Sequence, residues 1–295
     1  MPSKAKRLSD IKEGGFKGLF LFCAFCSLLF LLAIFVYLLV SATPFIAKVG
    51  VFEFLFGTSY APLASAPSYG ILSMILTSIY VTLLSMVIGC GLGLLTAICL
   101  FRFLPHPLIR PIKALIDLLS AIPSVIFGLF GLIIIVPFMR EYISPSGIGY
   151  GILSASIVLG VMILPTMVSV SLDSLNAVDK TYYEGALALG SSSTEAVFKV
   201  VLPASKSGII AAMVLSSGRA LGETMAVIMV IGGSASFPTS LFQSVRTLTA
   251  NIAMGALEST GDAFDVLLAT GLVLFFFSLL INVGFALIKG RSRHA

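Results

Sequence analysis

Long apolar runs alternate with shorter polar connections along most of this chain. The runs are close to the roughly 20 residues that a helix needs to cross a bilayer, and most of them carry no charge. A transmembrane barrel would instead show segments of about ten residues with alternating polarity. The pattern therefore predicts an all-α integral membrane protein with six transmembrane helices, at about 18–40, 71–101, 112–139, 151–172, 206–232 and 264–288.

The overall composition supports a membrane location. Hydrophobic residues make up 58% of the chain and charged residues only 11%, with a mean hydropathy of +1.10, whereas soluble domains are about a quarter charged. Too little polar surface is available to coat a water-soluble globule. The net charge of +5 is explained by the distribution of basic residues described next, and no nucleic-acid partner is expected.

Lysine and arginine are concentrated in alternate connections. One arginine lies inside an apolar run. Most of the others lie in or next to the two tails and the connections after the second and fourth helices. The exceptions are Lys48, Arg140 and Arg246. Basic residues favour the cytoplasmic side of a membrane. The distribution predicts cytoplasmic tails at 1–17 and 291–295 and a multi-pass protein of the cell membrane.

Residues that would support catalysis or metal binding are scarce. The two histidines, His106 and His294, lie outside the apolar runs, which disfavours an intramembrane serine protease or a zinc site. Cys23 and Cys26 form a C-x-x-C without nearby histidine or carboxylate, and we predict that they are small buried hydrophobes. The sequence contains no G-x-x-x-x-G-K-[ST] loop. The chain is predicted to be non-enzymatic, with no cofactor of its own.

The glycine-rich stretch GCGLG lies inside the second apolar run. No strand precedes it, which argues against a dinucleotide-binding turn. Gly89 and Gly93 instead have the small-x-x-x-small spacing that allows two helices to approach closely. We predict a helix-packing role for both glycines.

The connection between the fourth and fifth helices, residues 173–206, has the signals of a compact helical hairpin. Asp179 can cap a short helix, and Gly190 can end it in the left-handed conformation. Ser192 and Glu195 have the spacing of a capping box for a second helix. The spacing alone is also compatible with an ordinary amphipathic hairpin on the surface.

This connection resembles the E-A-A-x₃-G-x₉-I-x-L-P motif of permease subunits of ABC importers. In that family the motif forms a coupling helix, which docks in a groove of the ATPase subunit. Glycine at the first alanine position and valine at the isoleucine position are the two departures. The resemblance implies that the 179–203 segment contacts an ATPase, with the motif residues Glu184, Gly185, Ala186, Gly190, Val200, Leu202 and Pro203.

The fifth apolar run contains Arg219 and Glu223, four residues apart. In a continuous helix these positions share a face, so the two side chains are predicted to pair. A charge near the centre of a membrane helix costs roughly 2.5–3.5 kcal/mol on insertion scales, and pairing reduces that cost without explaining the charges. Two interpretations are open: a structural bridge between helices, or a translocation path in which the arginine fork binds an oxyanion.

A second pair with this spacing, Lys113 and Asp117, lies at the start of the third apolar run. The spacing favours a local bridge near the cytoplasmic end of the helix. A gate role for Asp117 is the alternative.

Two further stretches, GRALGETMAV at 218–227 and AIPSVIFGLFGL at 121–132, resemble phosphate-importer permeases of the PstC type. The resemblance covers about residues 15–290. It implies the ABC importer type I permease fold and a heterodimer with a PstA-like permease. It also implies an ATP-binding PstB-like dimer and an external PstS-like phosphate-binding protein, which docks on 41–70, 140–150 and 233–263.

Three alternatives to this assignment stay open. The chain could be a permease for another oxyanion such as sulfate or molybdate, because the coupling motif does not separate the substrates. It could be the PstA-like partner, which is similar overall but carries a different continuation after its G-E pair. An arginine-lined anion channel is a third possibility, but a channel would not need the coupling hairpin.

Overall fold

A computed structural model describes residues 4–291. Fourteen helices and one two-stranded hairpin occur in this part of the chain. The helices are α1 (Lys4–Val49), α2 (Val51–Phe56), α3 (Leu72–Ile98), α4 (His106–Ala121), α5 (Ser124–Phe130), α6 (Val136–Phe138), α7 (Ile152–Asn176), α8 (Lys180–Ala188), α9 (Ser193–Ala196), α10 (Leu202–Ala204), α11 (Lys206–Gly222), α12 (Met225–Ile231), α13 (Leu248–Gly255) and α14 (Asp262–Arg291). The strands are β1 (Tyr60–Ala61) and β2 (Ser68–Tyr69), which pair antiparallel.

Five stretches are long and apolar enough to span a membrane, and a bent helix pair makes a sixth candidate. This agrees with the six predicted helices, although several boundaries differ. The five stretches are Phe16–Val49, Leu72–Phe103, Ser124–Ile143, Ile152–Asn176 and Asp262–Gly284. The bent pair joins Ser193–Ala204 to Lys206–Gly222 at an angle of 69°.

Two predicted boundaries are wrong. Helix α1 begins at Lys4, earlier than the predicted start near residue 18, although its membrane-spanning stretch begins at Phe16; residues 1–3 and 292–295 lie outside the described part of the chain. The predicted helix at 112–139 is two helices, because Ile122 has extended geometry (ψ 128°) immediately before Pro123. Steric clash with the proline ring disfavours helical geometry at the preceding residue.

Four π-helical turns continue or join these helices. Each turn ends two residues before a proline, and together they are Cys99–Phe103, Gly131–Ile135, Met139–Ile143 and Val197–Val201. A proline lacks the backbone N–H, and its ring collides with the carbonyl four residues earlier. A π-helical turn is wider than an α-helical turn, and it moves that carbonyl away from the proline ring. The span Ser124–Ile143 therefore continues through Pro137.

The centre of the bundle is built from α3 and α7, which pack along their length, with α11 against both. Met162 and Ile163 of α7 are 1% and 0% exposed. In contrast, α1 packs mainly along α14, and large side chains such as Phe20 and Phe30 are 69% and 67% exposed. Apolar exposure on this scale indicates a face for lipid or another subunit.

The predicted burial of the C-x-x-C cysteines is not found. Cys90 is buried, whereas Cys23 is exposed on α1. The prediction of burial for Cys23 is wrong because α1 has few neighbours within this chain. Cys26 is partly exposed for the same reason.

The predicted close approach at Gly89 and Gly93 is confirmed. A Cβ atom added to Gly89 would lie 2.5 Å from the carbonyl oxygen of Gly160 on α7. One added to Gly93 would lie 2.8 Å from Cβ of Met167. A side chain larger than hydrogen cannot fit without moving α3 away from α7.

We predict that Gly89→Ala lowers the stability of the purified protein by about 1–3 kcal/mol, the usual cost of overpacking. The matched control is Gly91→Ala on the same helix, where an added Cβ meets no atom within 4 Å. Thermal unfolding in detergent measures both. Equal melting temperatures for the two variants would contradict the close-packing role of Gly89.

Candidate functional site

The fifth span is broken beside the intramembrane charges. Helix α11 ends at Gly222, Glu223 is extended (φ −71°, ψ 129°), and α12 begins at Met225. The prediction of one continuous helix over 206–232 is therefore wrong. Arg219 is the fourteenth residue of α11, about 20 Å along the axis from Lys206 at the usual rise per residue.

Side chains replace the backbone hydrogen bonds that the break removes. The N–H of Ala226 donates to Glu223 Oε1 (3.1 Å), so this carboxylate caps α12. Thr249 Oγ1, at the start of α13, donates to the carbonyl oxygen of Glu223 (3.1 Å). Irregular backbone at membrane depth requires such partners, because lipid offers none.

Arg219 and Glu223 do not form the predicted pair. Among the residues whose side chains the structure describes, the salt bridges are Lys48–Asp262 and Lys199–Glu195. The helix ends between the two charges, so the i,i+4 geometry is lost. Arg219 Nη1 instead donates to Thr166 Oγ1 on α7, at 3.5 Å. A guanidinium has five N–H donors, and four remain for another ligand.

The predicted Lys113–Asp117 bridge is also absent from the ion pairs of the described residues. Asp117 Oδ1 accepts a long hydrogen bond from Ser169 Oγ (3.4 Å). Asp117 is exposed, and an ion pair with a solvent-exposed partner gains little free energy. This contact joins α4 to α7.

The helical hairpin between the fourth and fifth spans has the predicted local structure. The N–H of Thr181 donates to Asp179 Oδ1 (2.9 Å) at the start of α8, and this bond lowers the pKa of Asp179. Gly190 ends the helix with φ +90°. Ser192 and Glu195 form the full capping box of α9, and the backbone N–H of Ser192 lowers the pKa of Glu195.

The residues of the motif have different environments within this hairpin. Ala186 is buried, at 8% exposure, and packs inside it. Glu184, Gly185 and Pro203 are exposed, and Leu202 is half-buried. An added Cβ at Gly185 meets no atom within 4 Å, so glycine in place of the motif's alanine leaves no gap in the packing of this chain.

The turn of the hairpin presents an apolar side chain that the sequence reasoning missed. Leu189 is 90% exposed immediately before Gly190. Tyr182, on the same helix, is 58% exposed. Exposed side chains of this size next to a rigid turn suit insertion into a groove of another subunit.

A side-chain network attaches the hairpin to the second span. Arg102 Nε donates to Tyr183 Oη (3.0 Å), and that hydroxyl is 2.9 Å from Ser193 Oγ. The hydrogen bond with Ser193, followed by the effect of Arg102, lowers the pKa of Tyr183. The contact joins the π-helical turn after α3 to α8 and α9, so it links the hairpin directly to the end of the second span.

These features define the chain as a multi-pass permease: a membrane bundle with a broken, charged span and a rigid hairpin fixed to one end. It belongs to the family of binding-protein-dependent transport system inner membrane components, whose model matches residues 89–294. The chain is therefore an integral inner membrane protein.

Several curated proteins are similar over most of the chain. A probable ABC transporter permease protein, YqgH of Bacillus subtilis, is 39% identical over 78% of this chain and 76% of its own length. The phosphate transport system permease protein PstC of Mesorhizobium japonicum is 34% identical over the same shares. PstC of Haemophilus influenzae is 32% identical over 86% of this chain and 88% of its own.

Solved structures share the fold at lower identity. A bacterial alginate ABC transporter, solved with a substrate-bound periplasmic protein, has a TM-score of 0.66 and 15% identity, and the match covers 96% of each chain. The inward-facing methionine transporter MetNI has a TM-score of 0.57 and 20% identity over 76% of this chain and 94% of its own. These likenesses identify an ABC importer permease fold.

We predict that Glu223→Ala lowers protein stability by about 0.5–2 kcal/mol, because α12 loses its cap. Glu223→Gln retains a carbonyl oxygen for the N–H of Ala226 and removes only the charge, so its melting temperature should stay near the wild-type value. Thermal unfolding separates these two roles. An equal loss in both variants would show that the charge, and not the cap, stabilises the break.

Proposed function

We propose that this chain is a transmembrane permease subunit of an ATP-driven phosphate importer. The observation that carries the proposal is the set of relatives named phosphate transport permease PstC, at 32–35% identity over about three quarters or more of this chain. The intramembrane arginine supports it, because a guanidinium fork suits an oxyanion. Phosphate is the proposed substrate, and sulfate or molybdate is the alternative.

The proposed assembly places this chain beside a homologous PstA-like permease. A PstB-like ATPase dimer docks on the 179–203 hairpin and binds ATP, so this subunit carries out no catalysis itself. A PstS-like binding protein delivers phosphate at the opposite end of the bundle. Both termini then lie in the cytoplasm, in agreement with the distribution of lysine and arginine.

The proposed mechanism is alternating access. Closure of the ATPase dimer moves the hairpin as a rigid body, and the network of Arg102 and Tyr183 carries that motion to the second span. The path opens outward, phosphate passes Arg219, and hydrolysis resets the transporter. Arg219 is suited to transient binding, because Thr166 occupies only one of its donors.

The test is uptake of labelled phosphate by the complete assembly in vesicles, with ATP enclosed and the binding protein outside. We expect uptake only when both are present, with no loss under a large excess of sulfate or molybdate. Preferred uptake of sulfate or molybdate would replace phosphate as the substrate. Uptake without ATP would support a channel.

Native mass spectrometry of the purified assembly distinguishes a heterodimer of permeases from two copies of this chain.

A further inference from the structure

A second arginine lies in a cavity at the end of the bundle opposite the coupling hairpin. Arg246 precedes α13 and lines a cavity of about 630 Å³. Its side chain is half-buried, and Nε donates to the carbonyl oxygen of Gly233 (2.8 Å). Nη1 donates to Asn251 Oδ1 (3.0 Å). The guanidinium is therefore held in one position.

The positive charge of Arg246 has no carboxylate partner within 4 Å among the residues whose side chains the structure describes. Burial lowers the pKa of the guanidinium, but arginine remains protonated at physiological pH. Two of its five N–H donors are used, so three remain. Glu258 also lines the cavity but is exposed to solvent.

A second donor faces the same cavity. Tyr60 lines it, and its hydroxyl oxygen accepts a hydrogen bond from Asn251 Nδ2 (3.1 Å). The hydroxyl proton is consequently free to donate elsewhere. Burial raises the pKa of Tyr60, which keeps this proton in place. Asn251, at 1% exposure, thus orients both Arg246 and Tyr60.

The cavity adjoins the break in the fifth span. Met225 and Ile228 of α12 line it, immediately after Glu223. Thr249 donates to the carbonyl oxygen of Glu223, two residues before Asn251 on α13. The break in the fifth span and Arg246 therefore both form hydrogen bonds with residues of α13.

We propose that Arg246 and Tyr60 form a second binding site for a tetrahedral oxyanion, on the outer side of Arg219. This inference rests on the proposed function, because it places an entry site on the path of the same anion. The cavity is within the size range of small-molecule sites, and it can hold the anion with part of its hydration shell. Charge-assisted hydrogen bonds from Arg246 supply the attraction.

The test measures labelling of a cysteine introduced at Ser259, which lines the cavity. Anionic and cationic methanethiosulfonate reagents are applied to the outer face of the complete assembly in vesicles. The assembly without Ser259→Cys gives the background. We expect the anionic reagent to react preferentially, and inorganic phosphate to slow the labelling.

In the Ser259→Cys background, Arg246→Gln should lower the ratio of anionic to cationic labelling rates on the order of fivefold, as expected from removing one nearby charge, and should abolish protection by phosphate. Tyr60→Phe should weaken the protection while leaving the ratio unchanged. Arg110→Gln is the matched control, since Arg110 is an exposed arginine that lies outside the predicted docking segments.

Protection that survives Arg246→Gln would overturn the inference, as would labelling that phosphate never slows. The labelling is carried out without the binding protein, because its predicted docking segment 233–263 includes Ser259. If Arg246→Gln does not assemble, protection by phosphate in the Ser259→Cys assembly and weaker protection in Tyr60→Phe would support the site, and equal protection in both would overturn it. If the assembly takes up phosphate but phosphate does not protect the cysteine at position 259, only this site is refuted. If phosphate protects the cysteine but the assembly takes up no phosphate, the proposed function is refuted.

Discussion

Arg219→Gln is expected to reduce ATP-driven phosphate uptake by about 10- to 100-fold while leaving the assembly intact. The wild-type side chain reaches Thr166 through a single long contact of 3.5 Å, and glutamine can donate a similar bond. The folded structure therefore loses little. A hydrogen bond from the charged arginine to phosphate contributes about 1.5–3 kcal/mol. Each 1.4 kcal/mol corresponds to a factor of ten, which gives the expected reduction in uptake.

Two controls make this measurement decisive. Arg219→Lys retains the charge without the planar fork and should give an intermediate rate. Arg110→Gln removes an exposed arginine outside the predicted docking segments and should transport at the wild-type rate. Size-exclusion chromatography shows whether each variant assembles. Wild-type uptake by a correctly assembled Arg219→Gln variant would make the arginine structural, and the oxyanion path would have to use other residues.

The hairpin was predictable because its determinants are local. Asp179 lies two residues before the N–H that it caps, and Glu195 lies three residues after Ser192. Gly190 adopts the left-handed conformation that its position requires. Such contacts depend on sequence spacing, so a single sequence contains the information for them.

The broken fifth span was not predictable from hydrophobicity. Apolar residues surround Gly222 and Glu223 on both sides, so the run resembles one helix. The break is stabilised partly from a distance, because Thr249 lies 26 residues after the carbonyl group that it satisfies. The partner of Arg219 is similarly remote, 53 residues away on α7. Tertiary contacts of this kind decide which charges meet.

A local signal for the break does exist. In Gly-Glu-Thr, glycine weakens the helix, and a carboxylate at position 223 can accept the N–H of Ala226. The same reasoning applies to Pro123, which separates α4 from α5. Both signals compete with the strong apolar character of the surrounding run. A break at Glu223 becomes the better prediction only when the free-energy cost of an unpaired charge in the membrane is included.

Leu189→Asp is expected to reduce co-purification of the ATPase subunit at least tenfold, with a matching loss of uptake. The side chain is 90% exposed, so the permease itself gains nothing from it on folding. Burial of a leucine in a partner groove contributes about 1.5–3 kcal/mol. A carboxylate in that groove would lose its hydration without a partner.

The conservative variant Leu189→Met preserves volume and apolar character, and it should bind the ATPase normally. Both variants should show wild-type melting temperatures as isolated permeases, because Leu189 contributes little to the core. If Leu189→Asp still retains the ATPase through purification, the turn of the hairpin lies outside the interface. The contact would then have to involve other exposed residues of the hairpin, such as Glu184 and Pro203.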